Sequence, residues 1–237
     1  MNIIKKQSGF TLVEILLAIT IFAFVITTLF TTFNTVILGI GPMKSGMDDY
    51  KAAQIAMNRI QKDLMSLCLT LDPAYVLPDI DQEIKPDKFR FVSGITHLEQ
   101  SQFSHLRFAS FEHLAFHPED TNRIGIIHYY VTKLDNGDLV LKRSDTGLIF
   151  YKEDQYKNEH PANPAKDPVL CDRILAFELE FTDQEGALKE NWDSDSSGFG
   201  YGTPLAVKIK LEIGDEKRFA NFETSILLPL IRKQDES

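Results

Sequence analysis

From Phe10 to Gly41 the chain carries a single charged side chain, Glu14, in a run otherwise made of apolar, small, hydroxyl and amide residues. Few folds can hold such a segment. Crossing a bilayer as a helix takes about 20 predominantly apolar residues, and the uncharged stretch from Ile15 to Phe33 meets that length. In lipid the backbone must close its own hydrogen bonds. Phe10 to about Ile40 is therefore expected to be helical, although its β-branched residues would favour strand in water. Lys5 and Lys6 precede the run, and cationic flanks stay cytoplasmic, which places everything after Pro42 beyond the inner membrane. A secretory signal peptide also begins with lysines, but its apolar core is only about 7 to 15 residues and ends in a small-residue cleavage site. This run is longer and lacks that ending.

Glu14 is the anomaly. A carboxylate within a membrane span costs on the order of 2.5 to 3.5 kcal/mol at mid-helix, less near an end, so it calls for a partner. The stretch "KKQSGFTLVEILLAITIFAF" resembles the N-terminal signal of type IV prepilins and type II secretion pseudopilins: a short basic leader, Gly, Phe, Thr-Leu-Val-Glu, then a hydrophobic helix. The resemblance implies that a prepilin peptidase cuts between Gly9 and Phe10 and methylates the new amine of Phe10. It implies three segments: a leader over 1–9, a transmembrane and assembly helix over 10–41, and a periplasmic head over 42–237. The cut leaves a cation four residues before Glu14. In a filament the carboxylate of one subunit then meets the amine of its neighbour and sets axial register, strongly felt in low dielectric although both ions pay desolvation. Glycine at the cut site lets a protease approach the backbone closely.

The threonines and Asn34 in the second half of the run mark either the exit from the bilayer or hydroxyl contacts between helices. Gly39, Gly41 and Pro42 predict a kink or break, since Gly lowers helix stability and Pro removes a donor. Beyond them, Ala53, Ala56, Ile60, Leu64, Leu67 and Leu71 recur at spacings of three and four, the apolar stripe of an amphipathic helix. Asp48 and Asp49 suit its start and Asp72-Pro73 its end. Lys51, Arg59 and Lys62 read as its solvent-exposed face. After Pro78 the period becomes two, over "FRFVS", "HLRFAS", "IGIIHYYVTK", "DLVLKRSD", "LIFYK", "RILAFELEFTD", "LAVKIKLEIG" and "RFANFETSILL", all of strand length. Asp135–Asp138 and Gly214–Lys217 read as hairpin turns, and Glu153 to Pro168 as a loop. One helix followed by a mostly antiparallel sheet is an α+β fold.

The order "NRIQKDL", "IHYYV" with "LVLKRSD", "ILAFELEFTDQEGALKENW" and "GTPLAVKIKLEI" before a strand ending "LLP" is similar to that of the type II secretion protein J family of minor pseudopilins. Membership implies partners: the I and K minor pseudopilins in a complex at the pseudopilus tip, the major pseudopilin and the prepilin peptidase. It implies a role in export of proteins across the outer membrane. Leu98 to Asp120 and Tyr156 to Pro168 depart from that pattern as longer insertions. A minor pilin of a type IV pilus or competence apparatus is the alternative with the same processing. A membrane-anchored binding protein or enzyme whose N-terminus mimics the signal is the reading of another class.

Other residue patterns compete with plain structure. His113 and His117 are four apart, a spacing that could hold zinc on one helical face, but no acid-plus-histidine frame completes it, and ordinary histidines are the other reading. "DSDSSG", from Asp193, opens like a calcium loop with Asp193 and Asp195 at its first and third positions. Pro204 stands where the twelfth-position Glu is required, so the choice is between a looser calcium site and a solvated turn. Cys68 and Cys171 would be allowed to form a disulfide outside the inner membrane; buried thiols are the alternative. No nucleophile, base or acid pair forms a catalytic frame, so the expected role is not enzymatic and needs no cofactor. With 25 basic and 34 acidic residues, the net charge of −9 argues against nucleic acid as a partner.

Overall fold

The computed structural model describes residues 11–70, 87–114, 123–148, 164–215 and 218–233, and for 35–49 the backbone alone. The cleavage pair Gly9 and Phe10, the expected helix end at Asp72-Pro73, His117, most of "LIFYK" and Glu216-Lys217 lie outside those residues. The chain divides into two compact units, Met1–Asp48 and Asp49–Ser237.

The first unit contributes one element, the N-terminal part of helix α1 (Leu12–Met65). Leu12–Asn34 is long and apolar enough to span a membrane, and none of it is buried within the chain. The break expected at Gly39 to Pro42 does not occur: the backbone is helical throughout α1, at the cost of the one donor Pro42 lacks.

The second unit is the head. The stripe read from the sequence is correct in its first four members, for Ala53, Ala56, Ile60 and Leu64 are all fully buried. The helix stops earlier than expected. Leu67 and Cys68 leave it to form strand β1 (Leu67–Cys68), which pairs with Ser110 and Ala109 of β3 (Ser101–Ser110). The last carbonyls of α1 find donors there: the Ser110 hydroxyl donates to Asp63 O at 2.9 Å, and Phe111 N to Ser66 O at 2.9 Å. These are groups any helix C-terminus leaves unsatisfied.

The remaining strands are β2 (Val92–Leu98), β4 (Gly125–Lys133), β5 (Leu139–Gly147), β6 (Val169–Cys171), β7 (Ile174–Thr182), β8 (Leu188–Lys189), β9 (Trp192–Asp193), β10 (Ala206–Asp215) and β11 (Arg218–Leu227). Among the described residues they form two antiparallel sheets. One has seven strands in the order β6-β5-β4-β3-β2-β9, with β1 also on β3; the other has four, β11-β10-β7-β8. The fold is α+β, as the sequence predicts. A single core joins α1 to both sheets, through Ile60 and Leu64 from the helix, Leu106, Phe108 and Tyr129 from the large sheet, and Phe177, Leu179 and Leu211 from the small one. The β4–β5 turn falls at Leu134–Asp138 as expected, with Gly137 at φ 92° and the Asn136 side chain accepting from Asp138 N. The β2–β3 hairpin is unannounced: its turn is Glu99-Gln100, without Gly, Pro or Asn, and Glu99 takes φ 57°.

Candidate functional site

The acid that made the N-terminal run anomalous has a local partner. Thr11 is the residue before α1, and its backbone N–H and its hydroxyl both donate to Oε2 of Glu14, each at 2.9 Å. In return Glu14 N lies 3.3 Å from the Thr11 hydroxyl oxygen. This is a reciprocal capping box, Thr-x-x-Glu, satisfying two of the donors a helix start leaves open. The pattern stands in the sequence as Thr11 and Glu14 three apart, but the apolar run around it draws attention to charge rather than to capping. Among the described residues no hydrogen bond reaches Oε1 of Glu14, so one oxygen stays available.

The hydroxyls further along the span are also spent locally. Thr20, Thr27, Thr28, Thr31 and Thr32 donate to carbonyls three or four residues earlier, at 2.7 to 3.1 Å. Helical threonines bonded in this way expose little unmet polarity, and neither water nor a neighbouring helix is required to satisfy those donors.

In the head, the chemistry-bearing residues form two buried ion networks. The first is centred on Asp63, which is fully buried on the apolar side of α1. It accepts from Arg143 Nε at 2.7 Å, from Arg59 at 2.9 Å and from the Tyr129 hydroxyl. Arg143 reaches on to Asp145 at 2.6 Å, and Asp145 to His113 Nδ1 at 2.5 Å. Burial and the Asp63 carboxylate push the Tyr129 phenol well above its ordinary range. Burial alone would weaken the Arg143 cation, but Asp63 and Asp145 outweigh that and raise its pKa. Arg59 is thus a half-buried bridge, not part of a solvated face, because it also donates to Glu112 O at 2.7 Å. His113 meets Asp145 through Nδ1, and its expected companion His117 lies outside the described residues.

The second network holds the proposed calcium loop. Arg90 donates two parallel bonds to Asp193, at 2.8 and 2.7 Å. Asp195 accepts from Asp87 N at 2.9 Å, and Arg232 pairs with Asp87 at 3.0 Å while donating to the Tyr201 and Ser194 carbonyls. Burial raises the Asp195 carboxyl to about 6, although Arg90 opposes it; burial also acts on Asp193, but Arg90 wins there and its pKa is lowered. Both acids read from the sequence as calcium ligands are engaged by protein donors, and among the described residues no three His, Cys, Asp or Glu side chains gather as a metal site would need. Asp87 and Arg90, which share one segment, and Arg232 from another complete the network; they carry no local sequence signal because both segments lie far along the chain from Asp193.

The disulfide reading is corrected. Cys68 and Cys171 are not bonded to each other. Cys68 lies on β1 and Cys171 on β6, and β3, β4 and β5 intervene. Four strand spacings put them roughly 19 Å apart, whereas a disulfide needs Cα atoms within about 7 Å. Each thiol instead packs in the apolar interior, and burial raises the Cys68 thiol.

Residues 4–30 match the family model described as the prokaryotic N-terminal methylation motif. A comparison with curated proteins gives no match. The motif is of the type IV pilin and pseudopilin kind, and it implies methylation, processing by a prepilin peptidase and assembly with other pilin-like chains. Among the described residues one helix segment, Leu12–Asn34, is long and apolar enough to cross a membrane, consistent with single-pass anchoring.

Proposed function

We propose that the chain is a minor pseudopilin of a type II secretion system, similar to protein J, anchored in the inner membrane with its head in the periplasm. The observation that carries this reading is the methylation motif over residues 4–30, set at the start of a 54-residue helix that leads into a head of two sheets. Lys5 and Lys6 hold the leader on the cytoplasmic side. The peptidase cuts after Gly9 and methylates Phe10. The subunit then leaves lipid for a bundle of pilin-type helices, together with I and K minor pseudopilins and the major pseudopilin. Since lipid is as apolar as the helix, the gain in that step comes from packing and polar pairing. Oε2 of Glu14 is committed to Thr11, so Oε1 is the oxygen that meets the neighbouring Phe10 amine. The role is assembly, not catalysis.

Intact mass of the mature protein tests the processing: loss of residues 1–9 with a methylated Phe10 is expected, and an uncut chain overturns the reading. Co-expression of the full chain with the I and K proteins of the same secretion system tests the assignment, with co-purification expected; no complex with either overturns it. Glu14→Gln separates capping from charge. Glutamine keeps the capping acceptor but cannot pair with a cation, so the variant is expected to be cleaved normally and to lose incorporation as fully as Glu14→Ala. Normal incorporation would leave capping as the role of this residue.

A further inference from the structure

Strand β11 is the outer strand of the four-stranded sheet. All ten of its residues pair with β10 in unbroken register, and along its other edge no described strand pairs with it. Edge strands of this length are commonly blunted by proline, charged side chains (lysine above all) or a bulge. β11 has no proline, lysine or bulge, its charges are Arg218 at its start and Glu223 at its centre, and Phe219 and Leu227 stand 68% and 75% exposed near its two ends.

A groove of about 320 Å³ runs beside this edge, walled by Asn221, Glu223 and Thr224 on β11 and by Gln54, Asn58 and Gln61 on α1, with Tyr50 and Met57 of the helix also lining it. Phe222 lines it as well, so four consecutive residues of β11 border the groove. A strand's face shows only alternate residues; consecutive ones line a groove along its edge. The three amides lie on one helical face, at positions i, i+4 and i+7. They are exposed, and no hydrogen bond ties them to other described residues. Gln54 and Asn58 are separated by about 6 Å along the helix axis, close to the roughly 6.8 Å between same-facing residues of a strand. Each amide offers both donors and an acceptor.

We propose that the free edge of β11 is a docking site for an extended segment of a partner polypeptide, which joins the small sheet as a fifth strand. Its inward-facing residues are uncharged and polar, and meet Gln54, Asn58 and Gln61. Its outward face carries a Lys or Arg opposite Glu223. On that face Lys208 is shared between Glu180 and Glu223, at 3.3 and 3.2 Å, and Lys210 between Glu178 and Glu212, both at 3.3 Å. Four acids meet two lysines, and Glu223 is the one at the edge. A second copy of this chain fits poorly. The antiparallel self-pairing that sets Phe219 against Leu227 is centred on Glu223 and sets it against itself, and like charges directly opposed are destabilising. The site belongs to the head alone and does not depend on the secretion assignment.

The full-length protein in lipid nanodiscs, mixed with a ten-residue probe peptide, tests this. In the peptide Thr alternates with apolar residues around one central Lys, and a control carries Glu at that place. The Lys peptide is expected to slow amide exchange over 218–227 at least tenfold at saturation and to bind more tightly than the control. Glu223→Lys should reverse that preference by about tenfold in each direction, the scale of exchanging an attractive for a repulsive cross-strand pair. Asn58→Lys, on the exposed side of α1, should abolish binding while the melting temperature stays unchanged. Equal affinity for the two peptides, or binding without protection of β11, overturns the proposal. So does self-association of the full chain that protects β11 in the absence of peptide.

Discussion

Residues 12–34 and 50–65 lie in the same helix, α1, but dispose of their apolar side chains in opposite ways. In the first stretch Leu12 is 80% exposed and Phe24 72%, whereas in the second Ala53, Ala56, Ile60 and Leu64 have no exposure at all. The first helix is held by its own backbone and by hydroxyls turned back onto its carbonyls, and takes lipid as its solvent. The second owes its stability to a stripe packed on both sheets, each large buried side chain contributing about 1.5 to 3 kcal/mol. Polar groups follow the same division. Glu14 finds donors for one oxygen within one turn, at Thr11, while Asp63 is satisfied by Arg143 and Tyr129 from strands far along the chain.

The largest break in this comparison is expected from Asp63→Ala. It leaves the Arg143 guanidinium, 3% exposed, with Asp145 as its remaining carboxylate beside the Glu112 carbonyl, and removing one partner of a buried pair costs about 3 to 5 kcal/mol. Chemical denaturation of the head should register that loss, with membrane insertion unaffected. Next comes a matched pair in the one helix. Ile60→Ala should cost about 2 to 4 kcal/mol through lost burial and the cavity left behind, and Ile19→Ala should leave head unfolding within about 0.5 kcal/mol of the parent.

A smaller effect concerns pH. Asp195 is raised to about 6 in the folded head, so the folded state holds that proton more tightly than the unfolded chain. Its contribution is fully present below the ordinary carboxylate range and is lost as pH rises through about 6. Asp195→Asn keeps an acceptor for Asp87 N and carries no charge to bury among Asp87, Asp193, Arg90 and Arg232. Relative to the parent it should gain stability between pH 5 and pH 8 when melting temperatures are compared. The smallest change is Thr11→Ala, which removes the N-cap at a typical cost of about 1 kcal/mol. Faster amide exchange in the first turn of α1 should report it, with head melting unchanged.

How much of the molecule could be read in advance varies from element to element. β10 alternates half-buried and buried residues from Ala206 to Gly214, and its period of two is plain in "LAVKIKLEIG". The β2–β3 hairpin was hidden because Glu99 adopts a left-handed conformation with none of the usual turn residues to announce it. β3, β4 and β5 are buried along most of their length on both faces, including His105, Arg107, His128 and Lys142, and a period of two does not show which faces become covered. The capping role of Glu14 was legible as a four-residue pattern, whereas the tie between Asp63 and Arg143 spans 80 positions and leaves no spacing to find.

The amino-acid sequence by itself determined the membrane helix, its methylation motif, the amphipathic stripe and the antiparallel strands, because each depends on a period or a motif within a few neighbouring residues. Only the tertiary structure decided that α1 ends at Met65, that Asp193 and Asp195 meet Arg90 and the Asp87 N–H, and that Cys68 and Cys171 stand several strands apart. Those outcomes depend on which strands become neighbours, and strand order is settled by burial of a shared core between segments the chain keeps far apart.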